Sequence, residues 1–243
     1  MRKDVKPYQE GGSKKEQVSE MFNNIAPKYD LLNRVLSLGI DKIWRRKAIR
    51  ILSTYNPERI LDVATGTADV AIATARQLKP GSIVGVDISS QMLEVGKVKV
   101  KDYGLDQTIS LALGDSEALA FEDNSFDAAT VAFGVRNFEN LEKGIGEMLR
   151  VVKPGGGVLI LEFSQPTLFP FKQIFRFYFK YILPFIGKFT SKDPKAYKYL
   201  FESVQAFPEG NDFVKIMDKV GYKNVKQHKL TLGICSIYQG EKA

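Results

Sequence analysis

Residues 59–87 read RILDVATGTADVAIATARQLKPGSIVGVD, and no other stretch limits the possible folds as tightly. Ile60, Leu61, Val63 and Ala64 form an apolar run interrupted by one acid, Asp62, and the run ends in Thr65-Gly66-Thr67. A helical pattern follows, then a second apolar run that stops at Asp87. The order is strand, tight turn, helix, strand with an acid at its tip. Such units assemble into a parallel sheet that binds ligands outside the carboxyl ends of its strands. An acid about twenty residues beyond the turn is placed to accept hydrogen bonds from ribose hydroxyls.

A dinucleotide fingerprint needs three glycines, for the turn, the pyrophosphate and the helix packing. Here only Gly66 stands, between Ala64 and Ala68, so the pyrophosphate cradle is poorly made. Asp62 and Asp69 flank the turn and suit a cationic ligand better than a phosphate. S-adenosylmethionine, with its ammonium and sulfonium, fits this pattern better than NAD. A ligand-free α/β turn with a helix-start acid at Asp69 is the bland alternative.

Further strands are expected at 109–113, 128–133 and 158–163, with helices near 69–78, 90–102 and 140–151. Alternation of this kind gives a doubly wound parallel α/β sheet. Asp115-Ser116 at the end of the third strand offers an acid and a hydroxyl to an adenine amino group, or else a simple turn cap. Phe133-Gly134-Val135-Arg136-Asn137 ends the fourth strand, so Arg136 and Asn137 should face the crevice. Lys153-Pro154-Gly155-Gly156 reads as a turn before the fifth strand. After a last helix near 211–220, closed by Gly221, strands at 225–230 and 233–238 predict an antiparallel hairpin at a sheet edge.

Ahead of the sheet, Met1 to Lys15 reads as a loose basic arm. A helical pattern starts at Gln17, and Ile43, Trp44, Ala48, Ile49 and Leu52 give another helix one apolar face. Tyr29-Asp30, a titratable pair after Pro27, and Asn33 are candidates for lining a site. Residues 1–57 are therefore expected to form an arm and helices covering the site, and 58–243 the main domain.

The formal net charge of +7 admits an anionic partner, nucleic acid or membrane surface. That charge is concentrated in an insert at about 165–207. From Gln165 to Leu200 stand seven Lys or Arg (172, 176, 180, 188, 192, 195, 198) against Asp193 alone. Phe171, Ile174, Phe175, Tyr178, Ile182 and Phe185 recur at helical spacing beside the basic stripe of Lys172, Arg176 and Lys180. A lid packed on the sheet and a helix lying in an anionic membrane interface both fit this pattern. Lysines and an arginine break the apolar run, so no spanning helix is expected. One cysteine, Cys235, excludes an internal disulfide, and with the lone His228 it cannot build an ordinary zinc site. No metal is expected.

Several motifs then occur in order: Tyr29-Asp30-x-x-Asn33 with Ser37 and Trp44; Phe133 to Asn137; Arg150-Val151-Val152-Lys153-Pro154-Gly155-Gly156 through Glu162 and Ser164; Tyr197-x-Tyr199-Leu200-x-Glu202-Ser203 before Phe207-Pro208; and Tyr238-x-Gly240-x-Lys242. By these the chain resembles the ubiquinone/menaquinone biosynthesis C-methyltransferases, from about Val18 to Lys242. The resemblance implies a Rossmann-like class I S-adenosylmethionine-dependent methyltransferase with a mostly parallel seven-stranded sheet. It implies methylation of a polyprenylated demethylmenaquinol, with the equivalent benzoquinol step left open. Cofactor contacts would come from Asp62, Gly66, Thr67, Asp87, Asp115 and Ser116. Arg136, always protonated, suits stabilisation of an oxyanion with Asn137 beside it, and Tyr29, Asp30 or a water held by them would take the proton. The expected location is the cytoplasm, with contact at the inner face of the membrane admitted by the charge; oligomeric state is open. The family's Gly-Gly-Thr-Gly-Asp turn is here altered at Ala64 and Ala68, with a shifted backbone expected. Asp41 stands where the family often has His or Arg, and Ala132 where it can have Ser. The rivals are an RNA or other small-molecule methyltransferase and a non-catalytic quinone-binding scaffold. Gly134-Val135-Arg136-Asn137 lacks the Asn/Asp-Pro-Pro-aromatic pattern of many base amino-methylating enzymes, so nucleic acid is not the expected partner.

Overall fold

The computed structural model describes residues 5–8, 11–37, 39–177 and 194–243. Three helices precede the sheet: α1 (Lys14–Ile25), α2 (Tyr29–Leu36) and α3 (Asp41–Leu52). Then come β1 (Arg59–Val63), α4 (Asp69–Leu78), β2 (Ser82–Asp87), α5 (Ser90–Asp102), β3 (Ile109–Leu113), β4 (Phe126–Ala132), α6 (Leu141–Val151) and β5 (Val152–Phe163). After α7 (Phe171–Phe177) and α8 (Pro194–Ala206) the chain ends in α9 (Asn211–Val220), β6 (Lys223–Leu230) and β7 (Cys235–Glu241).

The sheet has seven strands in the order β3-β2-β1-β4-β5-β7-β6. β1 to β5 run parallel, while β7 lies antiparallel between β5 and β6. The final strand thus enters the sheet and leaves β6 as the edge, where Lys223, Lys226 and Lys229 discourage further pairing. Chain direction across the sheet reverses between β1 and β4, and a crevice for ligands opens at that point.

Strand residues alternate between two cores, as they must in a sheet covered on both faces. Leu61, Val63, Val131 and Ile160 pack with Ile145 and Met148 of α6 and Phe213 and Met217 of α9. Ile60, Ile83, Ala128 and Leu159 pack with Trp44 and Leu52 of α3 and Ala71 and Ala75 of α4. The preceding helices are therefore joined to the sheet's own core through α3. Ile43, expected on the apolar face of α3, is instead 62% exposed, because one residue is a 100° turn away from the Trp44–Leu52 stripe.

Other expectations are corrected. The arm is not loose up to Lys15: α1 begins at Lys14, fixed by a reciprocal capping box between Ser13 and Glu16. The expected turn at 153–156 is absorbed into β5, whose register against β4 jumps between Phe126↔Val152 and Ala128↔Gly157. Gly157 is required there, since a Cβ would lie 2.3 Å from the Tyr55 ring. Residues 178–193 lie outside the described residues, and with them Lys180, Lys188 and Lys192 of the basic run and Tyr178, Ile182 and Phe185 of its apolar pattern.

Candidate active site

The turn after β1 keeps glycine-like geometry. Ala64, Gly66 and Ala68 have φ of 52°, 57° and 64°. The two alanines accept left-handed strain instead of shifting the backbone, as their substitution for glycine led one to expect. Gly134 makes this possible: a Cβ on it would stand 2.6 Å from the Ala64 methyl.

Two acids brace the turn from below. Asp62 is buried, with the Thr65 hydroxyl donating to one oxygen at 2.6 Å and that of Thr130 to the other at 2.7 Å. Burial pushes its pKa up to about 6, against those two hydrogen bonds. Asp87, at the tip of β2, accepts from the backbone N–H of Gly66 and of Ser89, each at 2.8 Å. Burial raises this carboxyl as well, opposed by the backbone donors. Each oxygen keeps a lone pair for a further donor.

Asp69 is spent within the protein. Arg45 reaches it at 2.5 Å and Lys99 also pairs with it. Burial would raise Asp69, but these two cations outweigh it and hold the carboxyl below its ordinary value. Asp41 explains its own departure from the family pattern by extending this chain of charges: it pairs with Arg45 at 3.2 Å and accepts from Ser37 at 2.6 Å.

Three cavities surround the turn. The first, open to solvent at its mouth, spans about 680 Å³ and is walled by Gly66, Asp87, Asp115 and Ser116 with the apolar Val86, Ile88, Met92 and Phe138. The second, about 490 Å³, is lined by Asn33, Arg136 and Tyr199 beside Met21, Ile25, Ala196 and Leu200. Phe22, Tyr29 and Asn137 belong to both walls, so the cavities meet there. The third, about 380 Å³, lies at the turn and holds Asp62 and Thr67.

The first cavity fits S-adenosylmethionine. Its acids stand at strand tips, its walls are apolar, and its lining cation, Lys15, is already bound to Asp115 at 2.6 Å. No free cation among the described lining residues awaits a pyrophosphate, which disfavours NAD. Burial would raise Asp115, but Lys15 and the Glu117 N–H hold it below its ordinary value. This pair was not foreseen in sequence, nor was the strap it belongs to. Lys14 donates to the carbonyls of Arg136 and Phe138, Ser19 to that of Ile88, and Asn23 receives the Ser89 hydroxyl. The Ser13-x-x-Glu16 signature would have located the helix that carries it.

In the second cavity, Arg136 is buried against Glu162, whose Oε1 it meets at 2.7 Å, and its Nη1 also donates to the Phe133 carbonyl at 2.5 Å. Its Cζ lies 5.5 Å from the Phe163 ring centre. The buried Arg136 Nε has no hydrogen-bond partner among the described residues. Glu162 is fully buried, and its Oε1 also accepts from the Phe163 N–H. An acid at the end of the apolar run Leu159-Ile160-Leu161 was the sequence signal for this partner. Asn137 accepts the Tyr199 hydroxyl at 3.1 Å.

Asp30 lines none of these three cavities. Thr67 donates to one of its oxygens at 2.5 Å and Lys99 to the other at 2.6 Å. This geometry ties the carboxylate down as a brace for the segment that carries Tyr29, and leaves it poorly placed as a base. The Tyr29 phenol is pushed up by burial, opposed by hydrogen bonding with Asn33 and by the charges of Arg136 and Arg45. It is therefore a donor at neutral pH.

The fold recurs among solved methyltransferases. An S-adenosylmethionine-dependent methyltransferase of Thermotoga maritima, described as a possible histamine N-methyltransferase, is 17% identical and superposes with a TM-score of 0.64 over 93% of this chain and 99% of its own. A putative S-adenosylmethionine-dependent methyltransferase of Methanococcus maripaludis is 18% identical, also with a TM-score of 0.64, over 97% of each chain. At that identity the likeness concerns the fold alone. Sequence relatives are far nearer. The demethylmenaquinone methyltransferase of Bacteroides fragilis is 51% identical over 98% of this chain and 97% of its own. The ubiquinone/menaquinone biosynthesis C-methyltransferase UbiE of Geotalea daltonii is 49% identical over 94% and 97%. The model of the ubiE/COQ5 methyltransferase family matches residues 10–242, and the chain belongs to that family.

Proposed function

We propose that this chain methylates a ring carbon of demethylmenaquinol, with S-adenosylmethionine as the donor and menaquinol as the product. The relatives bearing that name cover nearly the whole chain, and the paired cavities supply one room for each substrate. The observation that carries the assignment of residues is the buried Arg136 guanidinium on the wall of the second cavity, beside Asn33, Asn137 and Tyr199.

S-adenosylmethionine supplies a methyl group on positive sulfur, already activated for transfer to carbon. Asp87 accepts the ribose hydroxyls, Asp115 and Ser116 take the adenine edge, and the acids Asp62 and Asp87 favour the ligand's positive charge. Arg136 and Asn137 receive a quinol hydroxyl as its oxyanion forms, with the Tyr29 phenol donating from the shared wall. An opposite charge within about 4–6 Å lowers an acid's pKa by roughly 1–3 units. A phenol of ordinary pKa about 10 brought down that far lies at about 7–9, so a fraction of the bound quinol gives its proton to solvent at neutral pH. The electron density then concentrates on the adjacent ring carbon, and the shared wall of Phe22, Tyr29 and Asn137 sets its approach to the donor.

The isoprenoid tail leaves along the apolar side of the second cavity, by Met21, Ile25, Ala196 and Leu200. We place that exit at an anionic bilayer on the inner face of the membrane. Leu168, Phe169 and Phe177 are 60%, 81% and 58% exposed within the basic insert, which is what an interfacial surface requires.

The test is incubation with labelled S-adenosylmethionine and demethylmenaquinol, followed by mass analysis of the lipid. Arg136→Ala should lower turnover by about 100- to 1,000-fold with cofactor affinity little changed. Arg136→Lys keeps the charge beside Glu162 and controls for folding while losing the planar fork. Equal losses of turnover and cofactor binding would remove Arg136 from the chemistry.

A further inference from the structure

We infer that Tyr199 of α8 is a positioning residue for methyl transfer: its phenol takes the Asn137 carbonyl oxygen and thereby turns the Asn137 amide nitrogen toward the quinol oxygen. The inference rests on the reading that Asn137 faces that oxygen.

Asn137 sits in the short 3-10 turn Val135–Asn137, and its own N–H donates to the Gly134 carbonyl at 2.9 Å. The backbone is fixed, which leaves the orientation of the carboxamide to be decided. The torsion that sets it is broad and roughly two-fold, so packing alone does not choose between oxygen and nitrogen. An amide has one acceptor and one NH₂ donor. The Tyr199 hydroxyl donates to Asn137 Oδ1 at 3.1 Å, and both residues are buried. With the oxygen taken, NH₂ is the group left for the cavity that both side chains line. A developing phenolate needs donors; an amide turned the other way would set an oxygen against it. Tyr199 arrives from a segment remote in sequence from the turn it orients, so the donor set is completed only when α8 is seated.

Tyr199→Phe keeps the ring and deletes the hydroxyl. Removing a whole oxyanion donor costs about 100- to 1,000-fold, so freeing its orientation should lower kcat by about 10- to 100-fold. KM and the affinity for S-adenosylmethionine should stay within about 3-fold, since neither depends on the transition-state charge. The acidic limb of the kcat–pH profile should move to higher pH, because a quinol with one donor fewer ionises less readily. A purely structural loss would scale the profile without moving it. In an Asn137→Ala background Tyr199→Phe should add nothing. If the two losses multiply, or the limb stays in place, Tyr199 does not act through Asn137 and the inference falls. If Asn137→Ala leaves kcat unchanged, the reading of Asn137 falls with it. Should Tyr199→Phe not fold, Asn137→Asp provides a second arm: it keeps an acceptor for Tyr199 and deletes the NH₂. It should lose at least as much turnover as Asn137→Ala, and retained turnover would overturn the inference.

Discussion

Asp62 lies beneath the turn between β1 and α4, with its pKa pushed up by burial to about 6. In the unfolded chain an aspartate titrates near 3.9. Between about pH 4 and 6 the folded protein therefore holds a proton that the unfolded chain has released, and this group's contribution to stability falls as pH rises through that window. Two units correspond to about 3 kcal/mol as an upper figure. Asp62→Asn, which cannot ionise, should gain stability relative to the parent as pH rises from 4 to 7, and urea midpoints across that range would measure it. The same ionisation should couple to the ligand. A carboxylate attracts a cation and a carboxylic acid does not, so S-adenosylmethionine should bind more weakly as pH falls below about 6, in the parent but not in Asp62→Asn. A flat difference across the window would mean that Asp62 titrates normally. The turn above it allows a second test. Ala64 carries left-handed strain of about 1–2 kcal/mol, while glycine would cost about 0.5–1 kcal/mol in entropy. Ala64→Gly should therefore stabilise by up to about 1.5 kcal/mol. Gly134→Ala should destabilise, its new methyl meeting Ala64 Cβ at 2.6 Å, and Ala64→Gly should partly rescue it in thermal melts of the double variant.

At the scale of elements, α1 roofs both cavities, contributing Lys15 and Val18 to the first, Met21 and Ile25 to the second, and Phe22 to both. Its polar ties to the sheet ends run through Lys14, Lys15, Ser19 and Asn23. The Lys15–Asp115 pair is partly exposed, at 29% and 30%, so it contributes no more than about 1 kcal/mol and is screened by salt. Lys15→Met should speed release of S-adenosylhomocysteine by up to about 5-fold at low salt. The difference from the parent should vanish at high salt, as stopped-flow fluorescence can follow. The element that makes this roof shows where sequence reasoning stopped. The β1-turn-α4-β2 unit is legible because Asp62, Gly66 and Asp87 punctuate apolar runs, and hydrophobic periodicity is a local signal. Tyr29, Arg136 and Asn137 could be placed at strand ends or turns for the same reason. Their partners could not. Glu162, Tyr199, Lys99 and Lys15 meet the site from elements dozens of residues away, and periodicity says nothing about which ends converge. Asp30 is a case in point: a carboxylate beside Tyr29 looks free in sequence until Lys99 arrives from α5.

On the scale of the whole molecule, the cavities lie at the carboxyl ends of the parallel strands, near the reversal of strand order between β1 and β4, and the basic insert follows directly on β5, the neighbour of β4. A polyprenyl substrate is delivered from a bilayer, so an enzyme that rests on the surface shortens the path of the headgroup into the second cavity. Among the described residues no helix is long and apolar enough to cross a membrane. Attachment would then rely on exposed aromatics and charge. Phe169 and Phe177 are 81% and 58% exposed, and burying such a ring fully contributes about 1.5–3 kcal/mol. A ring that only half enters the interface gives about 1 kcal/mol, or roughly a 5-fold change in partition per residue. The parent should cosediment with vesicles containing phosphatidylglycerol and much less with pure phosphatidylcholine, and added salt should weaken the association. Phe169→Ser with Phe177→Ser should lower partition by about 25-fold, two such steps multiplied, if the sites act independently. Turnover of long-tailed quinol presented in vesicles should fall with it, while a short-tailed, water-dispersed quinol should be methylated at the parental rate. Equal loss on both substrates would put these rings inside the catalytic site, and unchanged partition would mean that the insert serves as a lid alone.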